Sequence, residues 1–217
     1  MTDQGAEPSS DDGDWLLRGS ADVDDVARYY DDWAAAYDRD LDDWEYAAPD
    51  VASALLLGHG ADLGRVLDAG CGTGLVGQAL RRAGFTGELH GVDVSSRSLR
   101  LADATSAYDR TGVADLQRGL DHTDGAFDAL ICVGVMTYVP DVDRCWREFA
   151  RVVRPGGVVV VTQREDLWED RRCPQVIETM AADGVWTPIE VTEARPYLPA
   201  NDALESIGVH YVAARVV

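Results

Sequence analysis

Val66-Leu67-Asp68-Ala69-Gly70-Cys71-Gly72-Thr73-Gly74 is the stretch on which the reading of this 217-residue chain turns. An apolar run from Val66 to Ala69 stops at glycines that alternate with other residues. This is the composition of a buried strand that bends sharply into a helix. Glycine lacks Cβ, reaches positive φ and lets the backbone approach a ligand closely. Leu75 to Ala83 then carries helical spacing, and Gly84 marks its end. A loop of this kind, at the carboxyl end of a strand, is where open α/β sheets bind their ligands.

The alternation continues on both sides of the loop. Glu88 to Val94 reads as a second strand, and Ser95 or Ser96 caps a helix reaching about Ala107. A short strand lies near Gly112 to Leu116, and Phe127 to Val133 is a strongly apolar one. Asp141 to Val153 is helical, with Val142, Cys145, Trp146 and Phe149 on one side. Arg154-Pro155-Gly156-Gly157 turns the chain into the buried strand Val158 to Thr162. Strands alternating with helices predict an α/β fold, a Rossmann-like and mostly parallel sheet with helices on both faces. Upstream, Val26, Tyr29, Tyr30, Trp33 and Tyr37 fall three and four apart, a helix with an aromatic stripe. Pro49 breaks that run, and a second helix spans Asp50 to Leu57. Downstream, Gln175 to Asp183 reads as helix. Trp186 to Val191 and Val209 to Val217 read as an antiparallel strand pair at one edge.

Residues 1–20 are polar and rich in Asp, Gly and Ser, the composition of a disordered tail. Residues 21–217 then form one domain: helices over 21–60, a ligand-binding core over 61–165 and a C-terminal region over 166–217. The formal net charge is −20, and every basic side chain is Arg. Such a surface repels phosphate backbones. Arg81–Arg82 and Arg171–Arg172 are isolated pairs rather than a basic patch, so nucleic acid is excluded as a partner. No apolar run reaches the roughly 18 residues of a membrane span. The acidic start lacks the order of a signal peptide, so a cytoplasmic protein is expected. Cys71, Cys132, Cys145 and Cys173 form no C-x-x-C pair, which argues against disulfides and against a metal site.

The glycine loop admits two ligands. Gly72-x-Gly74-x-x-Gly77 satisfies the dinucleotide fingerprint, and Asp93 lies about 20 residues on, as an NAD ribose acid would. Three features favour S-adenosylmethionine (SAM). Asp68 would be repelled by a pyrophosphate but suits the cationic methionine end of SAM. Gly70-x-Gly72-x-Gly74 is tighter than the dinucleotide pattern. The chain leaves no room for a separate dehydrogenase substrate domain. Asp93 can accept from vicinal ribose hydroxyls, which suits either ligand. Asp115 can accept from an adenine amino group.

Together these segments resemble the class I SAM-dependent methyltransferases. The resemblance rests on Val66–Gly74, Gly91-Val92-Asp93-Val94-Ser95, Ala114-Asp115, Phe127–Ile131 and Arg151–Gly157, in the family's order. A narrower resemblance, to the Williams–Beuren syndrome region methyltransferase-like subfamily, rests on Tyr30–Asp38, Val133-Gly134-Val135-Met136, Thr162-Gln163-Arg164 and Gly184-Val185-Trp186. The family implies a seven-stranded sheet with an antiparallel edge strand. It also implies an N-terminal helical lid whose Tyr30, Trp33 and Tyr37 wall the site. By this resemblance SAM is held by Tyr30, Tyr37, Asp68, Gly70, Gly72, Gly74, Asp93, Val94, Asp115, Leu116 and Val133.

Methyl transfer needs alignment more than acid–base chemistry, and no strong catalytic motif is present. Tyr138 follows the fourth strand, where the class often places an acceptor-facing residue. Its ordinary pKa of about 10 makes it a poor base. His122, in a loop before that strand, is the natural base near neutral pH. Arg164, at the end of the valine strand, can pair with a substrate carboxylate. The expected partner is a small-molecule acceptor, and the expected assembly a monomer or homodimer. A non-methylating SAM enzyme, a non-catalytic SAM-binding module and an NAD-dependent oxidoreductase are the competing readings.

Overall fold

The computed structural model describes residues 15–217. After a single helical turn at 15–18 come two longer helices, α1 (Val23–Asp43) and α2 (Ala48–His59). The alternating core follows: β1 (Arg65–Ala69), α3 (Leu75–Arg82), β2 (Glu88–Asp93), α4 (Ser96–Ala104), β3 (Arg110–Val113) and β4 (Phe127–Cys132). After a 3₁₀ turn at Met136–Tyr138 come α5 (Val142–Val152), β5 (Val153–Arg164), α6 (Cys173–Ala182), β6 (Trp186–Val191), the two-residue β7 (Arg195–Pro196) and β8 (Gly208–Val216).

The strands form one sheet in the order β3-β2-β1-β4-β5-β8-β6, with β7 paired to β8. β1 to β5 run parallel, and β8 runs antiparallel to both β5 and β6. The C-terminal pair expected at the edge is therefore antiparallel, but β8 is inserted inside the sheet and only β6 lies outermost. The small β7 makes the sheet eight-stranded rather than seven-stranded. β8 is almost wholly apolar, so both of its faces seek cover, which an edge position would not give.

The four-valine run shows how the two cores divide. Val159 and Val161 join the cluster of Leu130, Trp146, Phe149 and Trp186 on one face. Val158 and Val160 join Leu56, Leu80, Leu89 and Tyr211 on the other. Strand period two produces this division directly. The order reverses at β1, between β2 on one side and β4 on the other, and a crevice opens at their carboxyl ends.

Helix ends follow local chemistry. The Asp22 carboxylate accepts from the Asp24 and Asp25 amides at the start of α1, and Asp141 accepts from the Arg144 amide at the start of α5. Of the tail expected to be disordered, residues 1–14 lie outside the described residues. Residues 15–20 depart from that expectation, because 15–18 are helical. Leu16 is buried in the core, and Trp15 stacks on Tyr29 at 4.6 Å between ring centroids. Two large apolar side chains outweigh the polar composition around them. Among the described residues no helix is long and apolar enough to cross a membrane.

Leu130 is fully buried in the central strand β4. Leu130→Ala should cost about 2–5 kcal/mol of stability through lost transfer energy and a residual cavity. Urea denaturation checks this; a loss below about 1 kcal/mol would mean the central sheet repacks freely.

Candidate active site

The β1–α3 turn is held by the end of β2. The Gly70 and Cys71 amides both donate to the Val92 carbonyl, at 2.7 and 3.0 Å. The Gly72 amide donates to Asp93 Oδ2 at 2.8 Å, and the Ser95 amide to Asp93 Oδ1 at 2.8 Å. Each carboxylate oxygen retains lone-pair capacity for a further donor. Gly72 has φ +51°, and a Cβ built there meets nothing within 4 Å. Its bare face opens onto a cavity.

That cavity holds about 750 Å³ of empty space, part of it open to solvent. Tyr30 and Tyr37 from α1 line it, with Gly70, Gly72 and Thr73 from the loop and Asp93 and Val94 from the end of β2. Ala114, Asp115, Leu116 and Gln117 follow from the end of β3, and Val133, Gly134, Val135, Tyr138 and Val139 from the segment after β4. An open glycine face, two strand-end carboxylates and an apolar slot of Val94, Ala114, Leu116 and Val133 fit a nucleoside carrying a cationic tail.

Helix α1 is tied across this cavity by its acids. Asp38 accepts from the Thr73 hydroxyl in the glycine loop. Asp31 accepts from Ser95 Oγ at 2.5 Å and from the Arg97 amide at 3.1 Å, at the start of α4. The second contact satisfies an orphan amide and places negative charge at a helix N-terminus. Burial pushes the Tyr30 and Tyr37 phenols well above their ordinary range and raises Asp93 too. Burial likewise raises Tyr138, whose hydroxyl lies 2.9 Å from that of Tyr30.

Five expected site residues lie away from the wall; of these, Trp33 is buried in the core against Trp44 and donates its Nε1–H to Asp40 Oδ2 at 2.7 Å. Asp68 is fully buried beneath the glycine loop, where its Oδ2 accepts from the Tyr108 hydroxyl at 2.7 Å. It does not line the cavity, because its inward-facing strand position points it at Tyr108. Gly74 forms the N-cap of α3 and packs near Ala102, Thr105 and Tyr108. His122 sits before β4, at the opposite end of the sheet, with its ring against Phe127 at 5.0 Å. Burial lowers its pKa. Arg164 is buried and committed: it pairs with Asp166 at 2.5 Å and donates to the carbonyls of Leu16 and Leu17. Its charge fastens the segment at 15–18 rather than meeting a substrate.

Tyr108 is the residue that sequence reasoning missed. Its hydroxyl accepts from the Gly77 amide at 2.9 Å while donating to Asp68. A Cβ at Gly77 would lie 2.4 Å from its ring, and one at Gly91 3.0 Å. These glycines therefore make room for a tyrosine under the loop, not for the ligand above it. Only the crowding of glycines around a distant Tyr hints at this in the chain. Thr73, Gln117 and Val135 also enter the wall unannounced, because short polar and apolar loop residues carry no pattern of their own.

A family model described as a methyltransferase domain matches residues 67–161. The chain is 32% identical over 187 residues to human "Methyltransferase-like protein 27", covering 78% of this chain and 73% of that protein. It is 34% identical over 103 residues to the "Ubiquinone biosynthesis O-methyltransferase" of Alkalilimnicola ehrlichii, covering 44% of this chain but only 40% of that enzyme. Among solved structures, the complex of the Haloferax volcanii Trm112 methyltransferase activator with a methyltransferase matches with a TM-score of 0.67. The identity is 19%, over 88% of this chain and 97% of that one, a likeness of fold.

Burial raises Asp68 to about 7, with the Tyr108 hydrogen bond acting in the opposite direction. The folded state thus holds this proton more tightly than the unfolded chain, and ionisation of Asp68 opposes folding. The opposition is absent below about pH 4, grows as pH rises and is complete above about pH 7. Asp68→Asn should therefore gain stability relative to the unsubstituted protein between about pH 5.5 and about pH 8. Urea denaturation at both values tests this, and a pH-independent difference would show that Asp68 titrates ordinarily.

Proposed function

The chain belongs to the class I SAM-dependent methyltransferases, and we propose that it carries the methyl group of SAM to an O, N or C nucleophile of a small molecule. The observation that carries the reading is the convergence in one cavity of the glycine-loop backbone, the Asp93 and Asp115 carboxylates and the three phenols of Tyr30, Tyr37 and Tyr138. Bound SAM supplies a methyl group already activated on a sulfonium.

Asp93 receives the ribose hydroxyls, pre-aimed by its bonds to the Gly72 and Ser95 amides. Asp115, oriented by the Gln117 amide at 2.9 Å, receives the adenine amino group. Val94, Leu116 and Val133 flank the base, and Gly70 and Gly72 let the loop backbone run close to the cofactor. Tyr30 and Tyr37 cover the site from α1, which acts as a lid fastened through Asp31 and Asp38. Asp68 supports the loop from below. Tyr138 orients the acceptor; a phenol raised by burial holds its proton and does not serve as a base. The chain's own task is alignment and exclusion of water, and such positioning supplies roughly 7–11 kcal/mol of a bimolecular barrier. Residues 21–217 act as one domain.

Isothermal titration with SAM, with NAD as comparison, tests this reading. SAM should bind and NAD should give no heat. Asp93→Ala removes the acceptor of two ribose donors and should weaken SAM by about 10- to 100-fold while the protein stays folded. Gly72→Val puts a branched side chain into the open face and should abolish binding. Unchanged SAM affinity in either folded variant would move the cofactor elsewhere.

A further inference from the structure

Ahead of α1 the chain runs across the carboxyl edge of the sheet, and side chains from two strand ends hold it there. Residues 15–18 form a single helical turn, closed by the Gly19 amide on the Trp15 carbonyl at 2.8 Å. The carbonyls of Leu16 and Leu17, left over at the end of that turn, accept from the Arg164 guanidinium at the end of β5. Gly19, at φ +60°, lies on Tyr138: a Cβ there would stand 3.3 Å from Thr137 Cγ2 and 3.6 Å from the Tyr138 ring. The Ala21 carbonyl accepts from Gln117 Nε2 at 3.0 Å, just after β3. The ends of β4, β1 and β2 lie between β5 and β3, so a segment fixed at both passes over the crevice.

The two anchors meet the two ends of the site. Gln117 lines the cavity; its backbone amide orients the Asp115 carboxylate, and its side chain holds Ala21. Val23 and Val26, which follow at the start of α1, are wall residues too. At the other end, Arg164 fastens the turn from which Gly19 reaches Tyr138. One helical turn does not hold itself together in water. The seating of 15–21 therefore rests on these bonds, on the burial of Leu16 and on the stacking of Trp15 with Tyr29. So few contacts place the segment at the low end of local stability. Its release would take two carbonyls from Arg164 but leave the ion pair with Asp166 at 2.5 Å, so no charge is stranded.

We propose, on the methyl-transfer reading above, that residues 15–21 are a strap that seats over the bound cofactor, with Arg164 and Gln117 as the positioning residues that hold its two ends. A ligand drawn to Asp115 fixes the turn that carries Gln117 and packs against Val23 and Val26. The bound state thus favours the seated strap more than the empty state does. The coupling is reciprocal: whatever factor the cofactor adds to seating, the strap adds to cofactor affinity. Seated, the Gly19 backbone covers the Tyr138 ring and shields that end of the cavity from water.

Hydrogen exchange of the full chain, read by mass spectrometry with and without saturating S-adenosylhomocysteine, tests this. The amides of residues 16–22 should exchange at least about tenfold more slowly with the ligand, while those of the edge strand β6 stay within about twofold. Arg164→Leu should exchange rapidly over 16–22 in both states and bind S-adenosylhomocysteine about fivefold more weakly, chiefly through faster dissociation. Arg164→Lys keeps a charged donor and should recover part of both losses. Gly19→Val lifts the strap from Tyr138 without touching Arg164, and should act as Arg164→Leu does; it serves where the latter fails to fold. Unchanged exchange over 16–22 with the ligand bound, an equal slowing in β6, or full affinity in the folded variants overturns the proposal. Failure of S-adenosylhomocysteine to bind the unsubstituted protein would instead overturn the methyl-transfer reading itself.

Discussion

Two backbone amides sharing the Val92 carbonyl hold this site together. Gly70 and Cys71 donate to it, the Gly72 amide goes on to Asp93, and the turn out of β1 is thereby locked to the end of β2. β1 is the strand at which the sheet order reverses, so the lock also sets the shape of the crevice. From below, Tyr108 bridges Asp68 and the Gly77 amide, and its ring fills the space that side chains at Gly77 and Gly91 would take. A buried carboxylate with one oxygen lacking a partner is a costly thing to keep under a loop. Here it holds the phenol that holds the loop.

Charge is used in two different ways. The net charge of −20 favours the approach of cations. Inside, individual acids are spent on geometry. Asp31 joins the start of α4 to α1, Asp38 joins the glycine loop to α1, and Asp93 joins loop and strand end in the cavity wall. Helix α1 is thus attached through the same short acidic motif that carries its aromatic stripe. One helical face delivers phenols to the cavity, while carboxylates on the same helix grip its rim.

Much of this was legible in the chain. The Val66–Gly74 stretch, the acids ending successive strands and the valine run carry their meaning locally. Strand period, glycine geometry and the position of a residue at a strand end are properties of neighbouring residues. They sufficed for the sheet and the loop, whereas Tyr30, Tyr37 and Tyr138 were pointed to by the resemblance to the methyltransferases, and it is the fold that brings them into one cavity wall with Asp93 and Asp115.

What only the tertiary structure decided is which way a side chain faces and what stands opposite it. Asp68 lies two residues before the first loop glycine, yet strand alternation turns it beneath the loop toward Tyr108, forty positions away. His122 and Arg164 have the chemistry of catalytic groups. One lies at the wrong end of the sheet, and the other is neutralised by Asp166 and fastened to Leu16 and Leu17. Tyr108 has no motif at all. Its importance arises because three glycines distant in sequence leave a hole of its shape, and such complementarity exists only once the chain is folded.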